Sequence, residues 1–291
     1  MPSDLLTSSF LKQLENHRLV TQLSSQLAGE RLSSRKGGGM EFVEHKGYST
    51  GDDLRYLDWN VYARNDQLTV KQFETSENIA TYVLLDVSDS MDFGTPSKLL
   101  WAKQMAAAIG YLAMCREDWF GLFPFSEELQ TSMLSQRGRG QVKQVFDFIE
   151  ELEPGGTTDI ETSIQRFAAE SGTGGLLFIL SDFWDPDALQ QALPYLLYSG
   201  FTVHALQILT PEEINPGYSG ELDLTDAETG ERVLLNIRKG TLDQYERELQ
   251  SSFLKLEAAL STPATRYFRF LTSDSVEDTV LFRFRHEGLL A

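Results

Sequence analysis

Cysteine is nearly absent from this chain of 291 residues: Cys115 stands alone, so no internal disulfide can form and a zinc centre built on paired thiolates is excluded. A reducing compartment is the simplest expectation. Histidine is almost as scarce. His17, His45, His204 and His286 are scattered, and with no Gly-x-Ser-x-Gly elbow a hydrolase triad has no foundation. The glycines form neither a Gly-x-x-x-x-Gly-Lys-Ser/Thr loop nor a Gly-x-Gly-x-x-Gly turn after a strand, which leaves nucleotide binding without its cradle. Positive charge is in deficit: 25 Lys and Arg against 43 Asp and Glu give a formal net charge of −18. That balance argues against nucleic acid and an anionic membrane surface as partners, while permitting cations and basic protein faces. No stretch reaches the roughly 18 to 20 uninterrupted apolar residues of a membrane span. The N-terminal segment carries Asp4, Lys12, Glu15 and Arg18 through any candidate signal-peptide core, so a cytoplasmic protein is expected.

What is present is an ordinary globular balance, 41% hydrophobic and 23% charged, enough for a large core rather than a disordered chain. Leu11, Leu14, Val20, Leu23 and Leu27 predict one or two amphipathic helices over residues 4–32. Gly37 to Gly39 end that pattern and lead into an aromatic, charged stretch to Arg64 that reads as an irregular collar. Strands are predicted at 68–74, 81–87, 119–125, 175–181, 201–208 and 265–270, with 129–133 returning antiparallel beside 119–125. Pro124 is expected at a strand end or bulge. Helices are predicted at 97–115, 142–152, 160–169, 187–198, 242–260 and 276–286, and a β-hairpin at 220–237 turns near Glu228-Thr229-Gly230-Glu231. Trp59, Phe73, Trp101, Trp119 and Trp184 read as packing residues. Arg31, Arg35 and Lys36 read as a basic linker.

Alternating buried strands and helices predict an α/β fold, a doubly wound, mostly parallel sheet with helices on both faces. An N-terminal helical segment and collar would fill residues 1–75, and residues 76–291 would form the main domain with the hairpin inserted at 220–237. The organising stretch is Thr81 to Met91, TYVLLDVSDSM, where a continuous apolar run hands over to Asp86, Ser88 and Ser90. Such runs suit strands covered on both faces, and ligands in open parallel sheets bind outside the carboxyl ends of the strands. Asp and Ser after a strand also serve simply to cap the next helix. A second apolar strand, Gly175 to Ser181, likewise ends in an acid, Asp182. Between the two lies Gly155-Gly156-Thr157-Thr158.

Asp86-x-Ser88-x-Ser90, a later Gly-Thr and a later strand-terminal Asp182 together resemble the metal-ion-dependent adhesion site of von Willebrand factor A domains. The surrounding residues resemble the bacterial family known as domain of unknown function 58. They include Gly39-Met40-Glu41-Phe42, Gly51-Asp52-Asp53-Leu54-Arg55, Leu57-Asp58-Trp59, Val70-Lys71, Ser90-Met91, Ser181-Asp182, Glu228-Thr229-Gly230-Glu231 and Gly288-Leu289-Leu290, spread over about residues 30 to 291. His45-Lys46-Gly47-Tyr48 departs from the pattern, where an arginine near the tyrosine is commoner. In Gly156-Thr157-Thr158-Asp159 two threonines compete, and the spacing to Ile160 and Ile164 fits best with Thr158.

The resemblance implies a von Willebrand factor A-like, Rossmann-type fold and a Mg²⁺ (or Mn²⁺) site formed by Asp86, Ser88, Ser90, Thr158 and Asp182. Mg²⁺ asks for oxygen ligands in near-octahedral geometry and keeps water. Held largely by neutral hydroxyls, it retains charge and attracts a carboxylate that a partner protein can supply. A divalent-metal-dependent protein-binding module is therefore expected rather than an enzyme, acting as an adaptor for a MoxR-type AAA+ ATPase. The alternative is a metal-dependent hydrolase using the same site.

Overall fold

The computed structural model describes residues 5–20, 39–49, 56–65, 67–76, 79–172 and 174–291, with only the backbone described at 39–45, 60, 71–76 and 135. Two compact units emerge, one of residues 27–78 and one of residues 1–26 with 79–291. The sequence reading divided the chain at 75/76 and kept the leading segment with the collar. Of the described part of that segment, residues 5–20 group with the larger unit.

In the smaller unit, β1 (Gly39–Gly47) pairs antiparallel with β2 (Thr69–Ser76), Gly47 opposite Thr69 and Gly39 opposite Ser76. A helix, α2 (Trp59–Asn65), follows Asp58, whose carboxylate accepts the Val61 N–H at 3.2 Å. The expected irregular collar is thus a two-stranded sheet and a helix, and β2 belongs to that small sheet. An irregularity between Phe42 and Glu44 breaks the alternation that would have marked β1 as a strand. The basic cluster at 31–36 lies outside the described residues.

The larger unit is built on a six-stranded sheet. Its members are β3 (Ala80–Asp86), β4 (Trp119–Phe125), β5 (Met133–Arg137), β6 (Gly175–Ser181), β7 (Phe201–Leu209) and β10 (Thr265–Leu271), in the spatial order β10-β7-β6-β3-β4-β5. All neighbours are parallel except β5, which runs antiparallel along one edge. Val83 and Leu85 face one core and Leu84 the other, as do Leu176 and Phe178 against Leu177 and Ile179. That double burial is why these strands read as unbroken apolar runs.

One face is covered by α1 (Ser8–Leu14), α3 (Lys98–Cys115), α4 (Val142–Glu150) and the C-terminal segment through Phe284. The other carries α5 (Ile160–Glu170), α6 (Pro186–Tyr198) and α7 (Lys239–Ala259). At Gly110 a Cβ would stand 2.9 Å from the Phe120 ring, so α3 lies close against β4 only because glycine is there. The α/β, doubly wound architecture expected from the sequence is therefore present.

Several boundaries differ for physical reasons. Helix α1 ends at Leu14, and residues 18–20 instead pair with the C-terminus, Arg18 N–H donating to Ala291 O at 3.0 Å and Val20 N–H to Leu289 O at 3.0 Å. Residues 21–32 of the expected helical run lie outside the described residues. The return strand starts at Met133, not Leu129, which makes only an isolated bridge to Phe125. Pro124 is the penultimate residue of β4, beyond the last β5 pair at Leu122 and Met133. Its carbonyl accepts from Gln130 N at 2.9 Å, so its missing N–H falls on the side where the ladder has already ended. The final helix is one short α-turn (Val276–Asp278) that widens into a π-helix over Thr279–Phe284. Of the tryptophans read as packing, Trp101 is buried, whereas Trp59, Trp119 and Trp184 are 65%, 41% and 44% exposed. No helix among the described residues is long and apolar enough to cross a membrane.

The hairpin, β8 (Gly220–Thr225) and β9 (Arg232–Ile237), forms its own two-stranded sheet and does not join the large one. Leu222 pairs with Leu235 and Leu224 with Val233.

Candidate metal site at the carboxyl ends of β3 and β6

Strand β3 sits at the switch point of the sheet, because the chain leaves it first for β4 on one side and later returns at β6 on the other. Asp86 therefore ends β3 beside Ser181 and Asp182 at the end of β6. Asp86 is fully buried; one carboxylate oxygen accepts the Ser88 N–H at 3.0 Å and the other the Ser181 hydroxyl at 2.6 Å. Burial, and then the charge of Asp182, push its carboxyl up to about 7 against the opposing pull of these donors.

The next residues turn over Asp89–Asp92, a single 3₁₀ turn that brings two hydroxyls together: Ser88 Oγ and Ser90 Oγ are 3.0 Å apart. Ser90 Oγ donates to Asp182 Oδ2 at 2.9 Å. The two serine hydroxyls and Asp182 are thereby joined in one hydrogen-bonded row, with the Ser88 side chain also bonding Asp86.

Thr158 reaches the same end of the sheet on a loop tied at both levels. Asp89 N–H donates to Gly156 O at 3.0 Å, Gly156 N–H returns to Asp89 Oδ2 at 3.1 Å, and Gly155 N–H donates to Val87 O at 2.8 Å. Gly156 has φ of +83°, a conformation that glycine adopts without strain. Asp159 then caps α5 by accepting the Thr162 N–H at 2.9 Å, which fixes Thr158 just ahead of a helix start. Phe183, with φ of +51°, is a strained non-glycine residue directly after Asp182.

All five sequence-predicted residues thus lie on three loops at one end of the sheet. The oxygen donors fit a hard divalent cation. Two neighbouring ligands in an octahedral Mg²⁺ shell stand roughly 2.9 Å apart when each is about 2.05 Å from the ion. Ser88 Oγ and Ser90 Oγ, 3.0 Å apart in an ordinary O–H···O hydrogen bond, are close enough to become such neighbours without moving far. No cluster of three or more His, Cys, Asp or Glu suited to a metal is found among the described residues, so a cation here would depend on hydroxyl oxygens.

Four groups at the site were not assigned to it from the sequence, although Ser181 and Glu228 stand in motifs quoted above. Lys98, the first residue of α3, is almost wholly buried, and its ammonium donates to Asp182 Oδ2 at 2.7 Å and to Glu213 Oε1 at 2.6 Å. Burial works against its charge, but the two carboxylates outweigh it and its pKa is raised. Glu213 is itself locked by a capping box with Thr210 at the turn Pro211–Ile214. Ser181 orients Asp86. Glu228, from the hairpin, accepts the Thr158 hydroxyl at 2.8 Å and the Thr158 N–H at 3.1 Å. A lone lysine opening an otherwise apolar helix face was the available signal for Lys98.

The family model described as "Protein of unknown function DUF58" matches residues 44–252 of this chain. Uncharacterized protein Rv1480 of Mycobacterium tuberculosis is 28% identical over 231 residues, 78% of this chain and 73% of its own. Among solved structures, the conserved hypothetical protein BatB from Bacteroides thetaiotaomicron is 15% identical, covering 72% of this chain and 98% of that one at a TM-score of 0.41. The SpRpn10 VWA domain is 13% identical, covering 70% and 94% respectively, at a TM-score of 0.40. With the family model spanning most of its length, the chain belongs to the DUF58 family.

Proposed function

We propose that the protein is a divalent-metal-dependent protein-binding module, using Asp86, Ser88, Ser90, Thr158 and Asp182 to hold Mg²⁺ or Mn²⁺. The observation that carries this reading is the convergence of the Ser88, Ser90 and Asp182 oxygens at the switch point, joined by contacts of 3.0 and 2.9 Å, a set of hard oxygen donors of the kind Mg²⁺ takes. The ion would supply a positive centre that takes a carboxylate from another protein. Asp86 and Asp182 would orient the shell. Lys98 already neutralises part of Asp182, which leaves the cation short of negative charge and in want of a further acid.

Binding rather than turnover is the use that the surface beside the site favours. Phe93 and Trp184, each 44% exposed, lie three and two residues beyond Ser90 and Asp182 and supply the exposed aromatic surface that protein interfaces favour. The partner class is a MoxR-type AAA+ ATPase presenting an acidic side chain, with this chain as its adaptor. The net charge of −18 opposes an acidic partner, but the Debye length of about 8 Å at physiological salt confines that penalty to nearby charges.

The test is retention of a purified MoxR-type ATPase on the immobilised protein. Retention in Mg²⁺ is expected to fall at least tenfold, about 1.4 kcal/mol, with a chelator and in Ser88→Ala. Binding that survives both changes would overturn the metal-dependent reading.

A further inference from the structure

We infer that Glu228, at the tip of the β8–β9 hairpin, is the site's own carboxylate ligand: in the resting protein it fills the place a partner's acid takes, so the hairpin competes with the partner. This rests on the metal-dependent binding reading above. The Thr158 hydroxyl donates to Glu228 Oε1 at 2.8 Å, which sets this carboxylate directly beside a hydroxyl of the proposed shell. The carboxylate's second oxygen is fixed by the Thr158 N–H at 3.1 Å.

The turn is shaped to present this side chain. Asp226 accepts the N–H groups of Glu228 at 3.0 Å and Thr229 at 2.7 Å and the Thr229 hydroxyl at 2.9 Å, while Gly230 takes φ of +71° to complete the bend. Within 226–231 every residue is exposed except Glu228, which is half-buried. Among the described residues, the hydrogen bonds that reach from 220–237 to the rest of the chain are these two to Thr158. The strands pair only with each other and stay largely exposed. A hairpin held by its tip to one ligand of the site can be displaced by an acid of the same chemistry without unfolding the sheet beneath it. The Glu228-Thr229-Gly230-Glu231 turn, otherwise without a role, thereby acquires one.

The experiment is Mn²⁺ titration of the full chain followed by water-proton relaxation, which counts exchangeable waters on the bound ion, in wild type, Glu228→Ala and Glu228→Gln. Both variants are expected to bind Mn²⁺ at least about tenfold more weakly, and bound Mn²⁺ in Glu228→Ala should show the relaxivity of one additional water. Acetate should reverse that gain in Glu228→Ala and leave wild type unchanged. Equal affinity and relaxivity in wild type and Glu228→Ala would overturn the inference while leaving the metal site standing, as would acetate acting equally on both. Absence of Mn²⁺ binding from all three proteins would overturn the metal reading, and the inference with it.

Discussion

Replacing Lys98 with Met is expected to lower stability by roughly 3–5 kcal/mol, because removing one partner of a buried ion pair strands the others. At about 2–4 °C per kcal/mol for a chain near this size, the thermal midpoint should fall by roughly 10 °C. The ammonium is 1% exposed and holds Asp182 and Glu213, themselves 3% and 11% exposed. Without it two carboxylates face each other with little water to screen them. Glu213→Gln in the same chain should recover part of the loss, since it removes one of the stranded charges while keeping an acceptor for Thr210 N. The same reasoning ties stability to the metal. Mn²⁺ would replace the missing positive charge beside Asp182, so saturating Mn²⁺ should raise the midpoint of Lys98→Met more than that of wild type. Thermal unfolding with and without Mn²⁺ reads both effects. A loss below about 1 kcal/mol would place Lys98 in the class of ordinary surface pairs.

Asp86→Asn is expected to cut Mn²⁺ affinity at least about a hundredfold, about 2.8 kcal/mol, while leaving the fold intact. Asparagine keeps an acceptor for the Ser88 N–H and removes a carboxyl that burial disfavours. The metal-free protein carries a pH signature of the same buried carboxyl. The unfolded carboxyl titrates near 3.9, whereas the folded one is pushed up to about 7. Between those values the folded state retains a proton that the unfolded state has released. Stability from this group is therefore full below about pH 4 and is lost as pH rises to about 7, at most about 1.4 kcal/mol per pH unit. Metal-free Asp86→Asn should lack that decline. Asp118, pushed up to about 6 by burial, acts in the same direction in both proteins and cancels in the comparison. Urea unfolding at pH 5 and pH 7 provides the measurement; an equal change in stability between the two pH values in both proteins would contradict the raised carboxyl of Asp86.

The buried strands were legible because double burial erases the alternation that half-exposed strands show, leaving Val83 to Leu85 and Leu176 to Leu180 as continuous apolar runs. The carboxyl-end rule then marked Asp86, Ser88 and Ser90 as candidates, and the resemblance to a metal-ion-dependent adhesion site joined Thr158 and Asp182 to them. Strand β5, an edge strand with the polar sequence Ser135-Gln136-Arg137, gave no such signal, and the register irregularity in β1 hid its period. At the site, what escaped was long-range charge pairing. Lys98 and Glu213 are 115 residues apart, and Thr158 and Glu228 are 70 apart. Local sequence carries the loops that end strands and the caps that start helices, but nothing in it says which distant acid a hairpin or a helix turn delivers to them.

The central claim is that the hydroxyls of Ser88, Ser90 and Thr158, with Asp86 and Asp182, bind a divalent cation. Anomalous diffraction at the manganese edge, from crystals grown with Mn²⁺, tests it most directly. The expected result is one strong peak within coordination distance of Ser88 Oγ and Ser90 Oγ. A protein saturated with Mn²⁺ that shows no peak there, or shows it only between Asp182 and Glu213 with the Lys98 ammonium displaced, would contradict the account.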